Sequence, residues 1–153
     1  MIRVPARIIR DDRGTAAIEF LLVAPVLLVL LAGLTDFALA FFYKGLLASA
    51  VGEGASYAVL AGPNVATSTI KNIIGQKLAI PASDIAVTGP SCYCVSGTPA
   101  STTSQACNSP CPNGRAPGTY MTVTAQYTYV AILPTYSGFS NPTMTETAMA
   151  RLQ

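Results

Sequence analysis

A long apolar run near the N-terminus constrains this chain more than any other feature. Residues Phe20 to Leu34 contain no charged side chain, and after Thr35 and Asp36 the apolar character resumes as far as Tyr43. A helix of these 24 residues is about 36 Å long at ~1.5 Å per residue, which is enough to cross the hydrocarbon core of a bilayer. A removed Sec signal peptide would have a shorter apolar region of about 7–15 residues. The sequence therefore predicts a retained, single-pass membrane anchor.

Composition and charge exclude several classes of function. Charged residues make up only 10% of the 153 residues, and the formal net charge is +2. These charges are too few and too scattered to form an electrostatic surface for nucleic acid. We therefore expect no nucleic-acid partner. Histidine is absent from the sequence, which removes Ser-His-Asp and Cys-His catalysis and every His-ligated metal site. We therefore expect no enzyme, no metal and no cofactor.

The basic residues predict how the anchor is oriented. Only Lys44 closely follows the apolar run, whereas four arginines precede it: Arg3, Arg7, Arg10 and Arg13. The positive-inside rule then places the N-terminus in the cytoplasm and residues 45–153 outside. We divide the chain into a cytoplasmic basic leader (1–14), a transmembrane and juxtamembrane helix (15–61) and an extracytoplasmic domain (62–153).

A glycine and a glutamate mark the boundary between leader and anchor. Gly14 ends the leader, and Glu19 is the fifth residue after it, at the start of the apolar run. An acid at the membrane edge has two interpretations. In the first, Glu19 lies in the headgroup layer, where its charge costs little. In the second, cleavage after Gly14 creates an ammonium on Thr15, and Glu19 pairs with that ammonium on a neighbouring subunit.

The boundary sequence RGTAAIEF, followed by an apolar run with an early proline, resembles the class III leader of type IV prepilins. It looks most like the TadE-like family of pilin-related proteins from the tight-adherence (Flp) pilus machinery. The resemblance covers residues 13–61, including Asp36-Phe37 and the small-residue stretch from Leu47 to Ala58. Phe20 stands where Flp major pilins usually have tyrosine, and those pilins are much shorter. Both differences favour the TadE-like branch.

The resemblance implies a function, a location and a set of partners. A prepilin peptidase would cut between Gly14 and Thr15, and the protein would lie in a bacterial inner membrane with its C-terminal domain periplasmic or extracellular. It would be a pilin-like component (a minor pilin or pseudopilin) of a Tad/Flp pilus or a related secretion apparatus. Its partners would be other pilin-like subunits and the Tad assembly machinery. The alternative is a signal-anchored adhesion or binding module that is not incorporated into a pilus.

Small residues continue the helical pattern beyond the membrane. They form two rows with a spacing of four: Ala48, Gly52 and Ser56, and Ala50, Gly54 and Ala58. Small side chains let helices approach closely. We therefore expect one helix from Thr15 to Leu60 that packs against other subunits and stops near Gly62-Pro63. A flexible juxtamembrane linker is the alternative.

Asp36 is the second acid of the anchor. It lies about 25 Å beyond Glu19 along the helix axis, close to the outer boundary of the bilayer. We expect its carboxylate to face headgroups or water there, with a second subunit as the alternative, because an acid exposed to hydrocarbon is costly.

The remaining residues predict an α+β domain. A short amphipathic helix, with Thr67 and Ser68 as possible caps, is indicated by four apolar residues at helical spacing: Ile70, Ile73, Ile74 and Leu78. Tyr120–Val130 alternates apolar and polar residues, which is typical of a half-buried antiparallel strand. Two further strands are expected at 84–88 and 143–151, which gives a sheet of about three strands.

Four cysteines occupy the predicted loop between the first two strands: Cys92, Cys94, Cys107 and Cys111. Their spacing is a poor zinc signature, and outside the membrane an even number of cysteines indicates two disulfides. Cys92 and Cys94 share one face of an extended strand and so do not pair with each other. Two pairings remain open. The nested one, Cys92–Cys111 with Cys94–Cys107, is preferred over Cys92–Cys107 with Cys94–Cys111.

Overall fold

The computed structural model describes residues 13–99, 101–134 and 140–152. The helices are α1 (Arg13–Ala61) and α2 (Thr67–Leu78), with a 3-10 turn at Ala82–Asp84. The strands are β1 (Ile85–Ser96), β2 (Ser101–Ser104), β3 (Gly118–Thr128) and β4 (Thr143–Arg151). The predicted α+β class is confirmed. Residues 1–12 of the predicted leader lie outside the described residues.

Helix α1 is 49 residues long and includes Pro25 without interruption. It ends where Gly62 adopts a φ of +75° and its N–H donates to the carbonyl of Ala58 at 3.0 Å. Glycine adopts this left-handed conformation without the steric cost of a Cβ, and the following Pro63 cannot extend a helix. The end of the helix agrees with the predicted stop signals.

The chain divides into two units. The first contains α1 up to Leu39 together with the segment from Ala131 to Asn141, which follows β3. The second contains α1 from Ala40 onwards, α2 and the four strands. Near the end of the predicted span, Ala40 is buried in the second unit, whereas Phe41 and Phe42 are exposed.

The sheet has the order β2-β1-β3-β4, and all neighbouring strands are antiparallel. The sequence predicted about three strands, and the strand that it missed is β2. Its sequence STTS is polar and fully exposed, so it lacks the apolar alternation by which a strand is recognised. It pairs with the C-terminal part of β1 and stands first in the strand order, so it is an edge strand.

Strand β1 continues well past its predicted end at Thr88. The register against β3 shifts between Thr88 and Ser91, which is a β-bulge containing Gly89. Gly89 has a φ of +120°, and a Cβ there would lie 2.8 Å from the carbonyl oxygen of Tyr120. Gly-Pro usually marks a turn, but here the pair lies inside a bent strand.

The core of the second unit lies between the helices and one face of the sheet. The predicted alternation of β3 is confirmed, because Met121, Val123 and Ala125 are all buried. They pack in one cluster with buried residues of both helices, including Leu47 and Ile74. On the opposite face, polar pairs link the strands, as where the hydroxyls of Thr124 and Thr147 lie 3.1 Å apart.

Helix α2 agrees with the predicted amphipathic segment, but its predicted caps are wrong. The N-cap residue is Ala66, which makes no side-chain hydrogen bond, and Thr67 is already helical. Burial of Ile70 and Ile74 against the core therefore stabilises this short helix more than capping does.

Candidate functional site

The exposed surface of α1 in the first unit is almost entirely apolar. Phe20, Leu28 and Leu30 are 65–70% exposed, although each is a large hydrophobic side chain. The helix from Thr15 is long and apolar enough to cross a membrane, and its most apolar window is not buried within the protein. Such a surface is unfavourable in water and suits hydrocarbon, which is the environment predicted for it.

Thr15 and Glu19 lie near the start of this surface. Both are exposed, and their spacing of four residues places them on one face of α1, about 6 Å apart in axial rise. The part of the chain that the structure describes offers Glu19 no ion pair and no side-chain hydrogen bond. Its carboxylate is therefore accessible to a group from outside those residues.

The two rows of small residues have different environments. Ala50, Gly54 and Ala58, the inner row, are buried in the second unit. A Cβ on Gly54 would lie 2.8 Å from Cδ1 of Ile74, so this glycine permits close packing of α1 against α2. The expectation that both rows pack against other subunits is therefore wrong for the inner row, which the chain's own domain covers.

The other row remains exposed. It consists of Ala48, Gly52 and Ser56, and we call it the outer row. A Cβ built on Gly52 would meet no atom within 4 Å. No residue of this row is larger than serine, so a second helix can approach the backbone of α1 closely along it.

Asp36 is buried and satisfied within its own chain. Only 1% of its surface is exposed. Its Oδ1 accepts a hydrogen bond from the backbone N–H of Ile132 at 2.9 Å, and its Oδ2 accepts one from the N–H of Leu133 at 3.2 Å. The prediction that Asp36 faces headgroups, water or another subunit does not describe this arrangement. No sequence pattern signals that a segment 96 residues further on returns to α1.

Two disulfides are present, but the preferred pairing is wrong. Cys92 bonds Cys107, and Cys94 bonds Cys111. Neither Cys92 nor Cys94 lies in a loop, because both are buried on β1. Their separation by one residue puts them on the same face, as expected, and they do not bond each other.

The path of the chain after β2 explains the pairing. Antiparallel pairing brings Ser104, the last residue of β2, opposite Tyr93. The N–H of the next residue, Gln105, donates to the carbonyl of Cys92 at 2.9 Å. Cys107 follows directly and reaches Cys92. A turn, in which the N–H of Ser109 donates to Ala106, then reverses the chain and returns Cys111 towards Cys94.

A small cavity adjoins the second disulfide. Its volume is about 130 Å³, and two tyrosines and two arginines contribute to its wall: Tyr93, Tyr120, Arg115 and Arg151. The tyrosine rings meet edge to face with centroids 5.9 Å apart. Within the described ranges, no group of three or more His, Cys, Asp or Glu residues is arranged to hold a metal.

These features define a class of protein in which an apolar helix, long enough to span a membrane, continues into a disulfide-linked α+β domain. Residues 14–56 match the family model described as TadE-like protein. The match runs from the leader boundary through the outer row of small residues and the first two residues of the inner row, and it confirms the resemblance predicted from RGTAAIEF. Over this segment the chain is similar to TadE-like proteins, which suggests an association with the Tad pilus machinery and a membrane. No curated protein and no solved structure matches the chain.

Proposed function

We propose that this protein is a pilin-like subunit, a minor pilin or pseudopilin, which acts in the assembly of a Tad/Flp pilus or a related secretion apparatus. One observation carries the proposal: within the TadE-like segment, an exposed apolar helix begins at a glycine–glutamate boundary. The outer row adds support, because it gives α1 a face on which another helix can pack closely. A structural subunit needs an apolar surface for the membrane and a helix face for contact with other subunits.

The proposed location is the inner membrane of a bacterium, with the leader in the cytoplasm and the disulfide-linked domain outside. The arginines of the leader support this orientation through the positive-inside rule. Two disulfides support it as well, because such bonds persist in oxidising compartments. The proposed role is structural and not catalytic, since a chain without histidine lacks the commonest general base.

Glu19 has a specific part in this proposal. Cleavage after Gly14 by a prepilin peptidase would leave an α-amine on Thr15 with a pKa of about 7.7–8.0 in model compounds, so it is mostly protonated at neutral pH. The exposed carboxylate of Glu19 then pairs with that ammonium on a neighbouring subunit. At the membrane edge an uncompensated charge is costly, so the pair favours association.

The mass of the mature protein tests the proposal. The chain is produced with the cognate prepilin peptidase, and its intact mass is measured for the wild type and for Gly14→Ala. The wild type should lose residues 1–14, and Gly14→Ala should retain them. Gly33→Ala is the matched control, because it changes a glycine of the same helix where a Cβ meets no atom within 4 Å. If the wild type keeps its leader, the pilin-like role fails.

An extracytoplasmic adhesion or binding module is the second candidate function. The cavity beside the Cys94–Cys111 disulfide favours it, because tyrosine faces and arginine donors together suit a small polar ligand. The two functions differ in where the mature protein is found. A pilus subunit is recovered with fibres sheared from the cell surface, whereas an anchored module stays entirely in the membrane fraction.

A further inference from the structure

The segment that follows β3 has an apolar surface with no cover from the described residues. It belongs to the same unit as the apolar half of α1. Ile132 is 63% exposed and Leu133 is 42% exposed. Leu133 also borders an apolar hollow of about 340 Å³ whose other walls come from α1: Pro25, Leu28, Val29 and Ala32. These α1 residues lie within the predicted membrane span.

The backbone of this segment is unusual because its first three N–H groups, those of residues 131–133, all have side-chain partners. The N–H of Ala131 donates to Oδ1 of Asn141 at 3.2 Å. The next two, of Ile132 and Leu133, donate to the two oxygens of Asp36. Pro134 has no N–H. Three successive residues outside regular secondary structure, and the proline that follows them, therefore present no unsatisfied donor.

This combination matches what a bilayer requires of a non-helical backbone. In hydrocarbon no water can satisfy a polar group, so irregular segments occur at membrane depth only where protein groups satisfy them. In water the same segment would need no buried carboxylate, because solvent would serve its N–H groups. The sequence is also uncharged from Tyr129 to Thr145.

We propose that residues 131–134 form a second membrane-contacting element, which enters the outer half of the bilayer beside α1 and places Ile132 and Leu133 against lipid acyl chains. The occupant of the exposed surface is lipid because that surface continues the apolar surface of α1 within one unit. Asp36 is the positioning residue, since its carboxylate holds two successive N–H groups of the element. This inference rests on the membrane insertion of α1 in the proposed function.

A single tryptophan measures the depth of the segment directly, because the chain has no tryptophan of its own. The full-length Ile132→Trp variant is reconstituted in phosphatidylethanolamine–phosphatidylglycerol vesicles, some of which carry brominated acyl chains. Its emission should be blue-shifted, strongly quenched by the brominated lipid and little affected by aqueous iodide. Two variants calibrate the result. Leu30→Trp reports insertion of α1, and Val95→Trp, at an exposed position of β1, reports contact with water.

The outcomes separate this inference from the proposed function. If Leu30→Trp is quenched by brominated lipid and Ile132→Trp is quenched by iodide, the membrane element is overturned while the anchor stands. If neither quencher reaches Ile132→Trp, protein covers the segment and lipid is the wrong occupant. If Leu30→Trp also escapes the brominated lipid, α1 is not inserted and the proposed function itself fails.

A second substitution tests the role of Asp36. In the Ile132→Trp background, Asp36→Asn leaves one acceptor atom where two N–H groups need partners. We expect the tryptophan to lose quenching by brominated lipid and become accessible to iodide. Thr35→Val is the control, because the hydroxyl of Thr35 donates to the carbonyl of Leu31 on its own helix, at 2.8 Å, and does not hold the segment after β3. Unchanged depth in the Asp36→Asn variant would remove the positioning role.

Discussion

The rings of Tyr43 on α1 and Tyr127 on β3 stack, with centroids 5.4 Å apart and planes inclined by 22°. Tyr129, two residues further along the chain, places its ring 5.7 Å from the same Tyr43. Within the second unit, this aromatic cluster joins the helix to the sheet. Burial raises the pKa of Tyr127 above its ordinary value of 10.0, and the neighbouring Tyr43 raises it further.

The raised pKa of Tyr127 predicts a loss of stability at alkaline pH. Above pH 10.0 the phenol of the unfolded chain ionises while that of the folded chain keeps its proton. The folded state then binds more protons than the unfolded state, so the free energy of unfolding falls as the pH rises. Well below pH 10.0 the phenol is protonated in both states, so the stability of the folded state is not reduced by this group.

Tyr127→Phe should therefore weaken the decline in stability above pH 10.0. Denaturant midpoints of the full-length protein in detergent, measured over a series of pH values, give the slope. Tyr57→Phe, a change on the exposed side of α1, is the matched control and should leave the slope as in the wild type. Equal slopes for Tyr127→Phe and the wild type would contradict the prediction.

Two glycines of α1, only two residues apart, should respond in opposite ways to alanine. At Gly54 the added Cβ meets Cδ1 of the buried Ile74 at 2.8 Å, so Gly54→Ala should destabilise the domain by about 1–3 kcal/mol through overpacking. At Gly52 the Cβ meets nothing, and Gly52→Ala should stabilise the helix by up to about 1 kcal/mol. Thermal unfolding of both variants measures the difference. The same sign for both would show that α1 does not pack on α2 as described.

The disulfide pairing can be tested with double substitutions. Cys92→Ser with Cys107→Ser removes one complete disulfide and should leave no thiol that reacts with maleimide under non-reducing conditions. Cys92→Ser with Cys111→Ser breaks both disulfides and should leave two reactive thiols. Each closed loop contributes about 3 kcal/mol by loop-closure entropy, so the first variant should be less stable but folded. The reverse labelling pattern would support the nested pairing.

The sequence was sufficient for the parts of the fold that rest on local patterns. The length of α1, its end at Gly62, and the strands β3 and β4 follow from periodicity and from glycine and proline signals. Local sequence patterns were insufficient to predict contacts between segments that are distant in the chain. The bonding of Asp36 to Ile132 and the return of Cys111 to Cys94 depend on chain reversals that no local pattern encodes. Strand β2 has only polar residues, so hydrogen bonding to β1, and not burial, makes it a strand.

Loss of the Glu19 charge should weaken association between subunits but not membrane insertion. Glu19→Gln retains the shape of the side chain and removes the partner of the proposed ammonium. Crosslinked dimers in membranes that contain the peptidase should decrease several-fold, while the amount of inserted protein stays constant. Glu53→Gln is the control, since Glu53 pairs with Lys77 of its own chain. Normal crosslinking by processed Glu19→Gln would leave cleavage intact and remove the pairing role.

Reporter fusions test the proposed orientation. An alkaline phosphatase fused after Gln153 should be active and a β-galactosidase at the same place inactive, because the proposed orientation places the C-terminal domain outside the cytoplasm. Replacing the four leader arginines by glutamine should reduce this asymmetry, as the positive-inside rule depends on them. Active β-galactosidase in the wild-type fusion would reverse the topology.

The two rows of small residues also determine how this helix is able to evolve. A larger residue at position 54 needs a smaller one at position 74, so the inner row should covary with positions encoded in the same gene. In the proposed assembly, a larger residue at position 52 is accommodated by a neighbouring subunit, so the outer row should covary across genes. Covariation of the inner row would therefore report selection for folding of the domain, and covariation of the outer row would report selection for contact with other subunits.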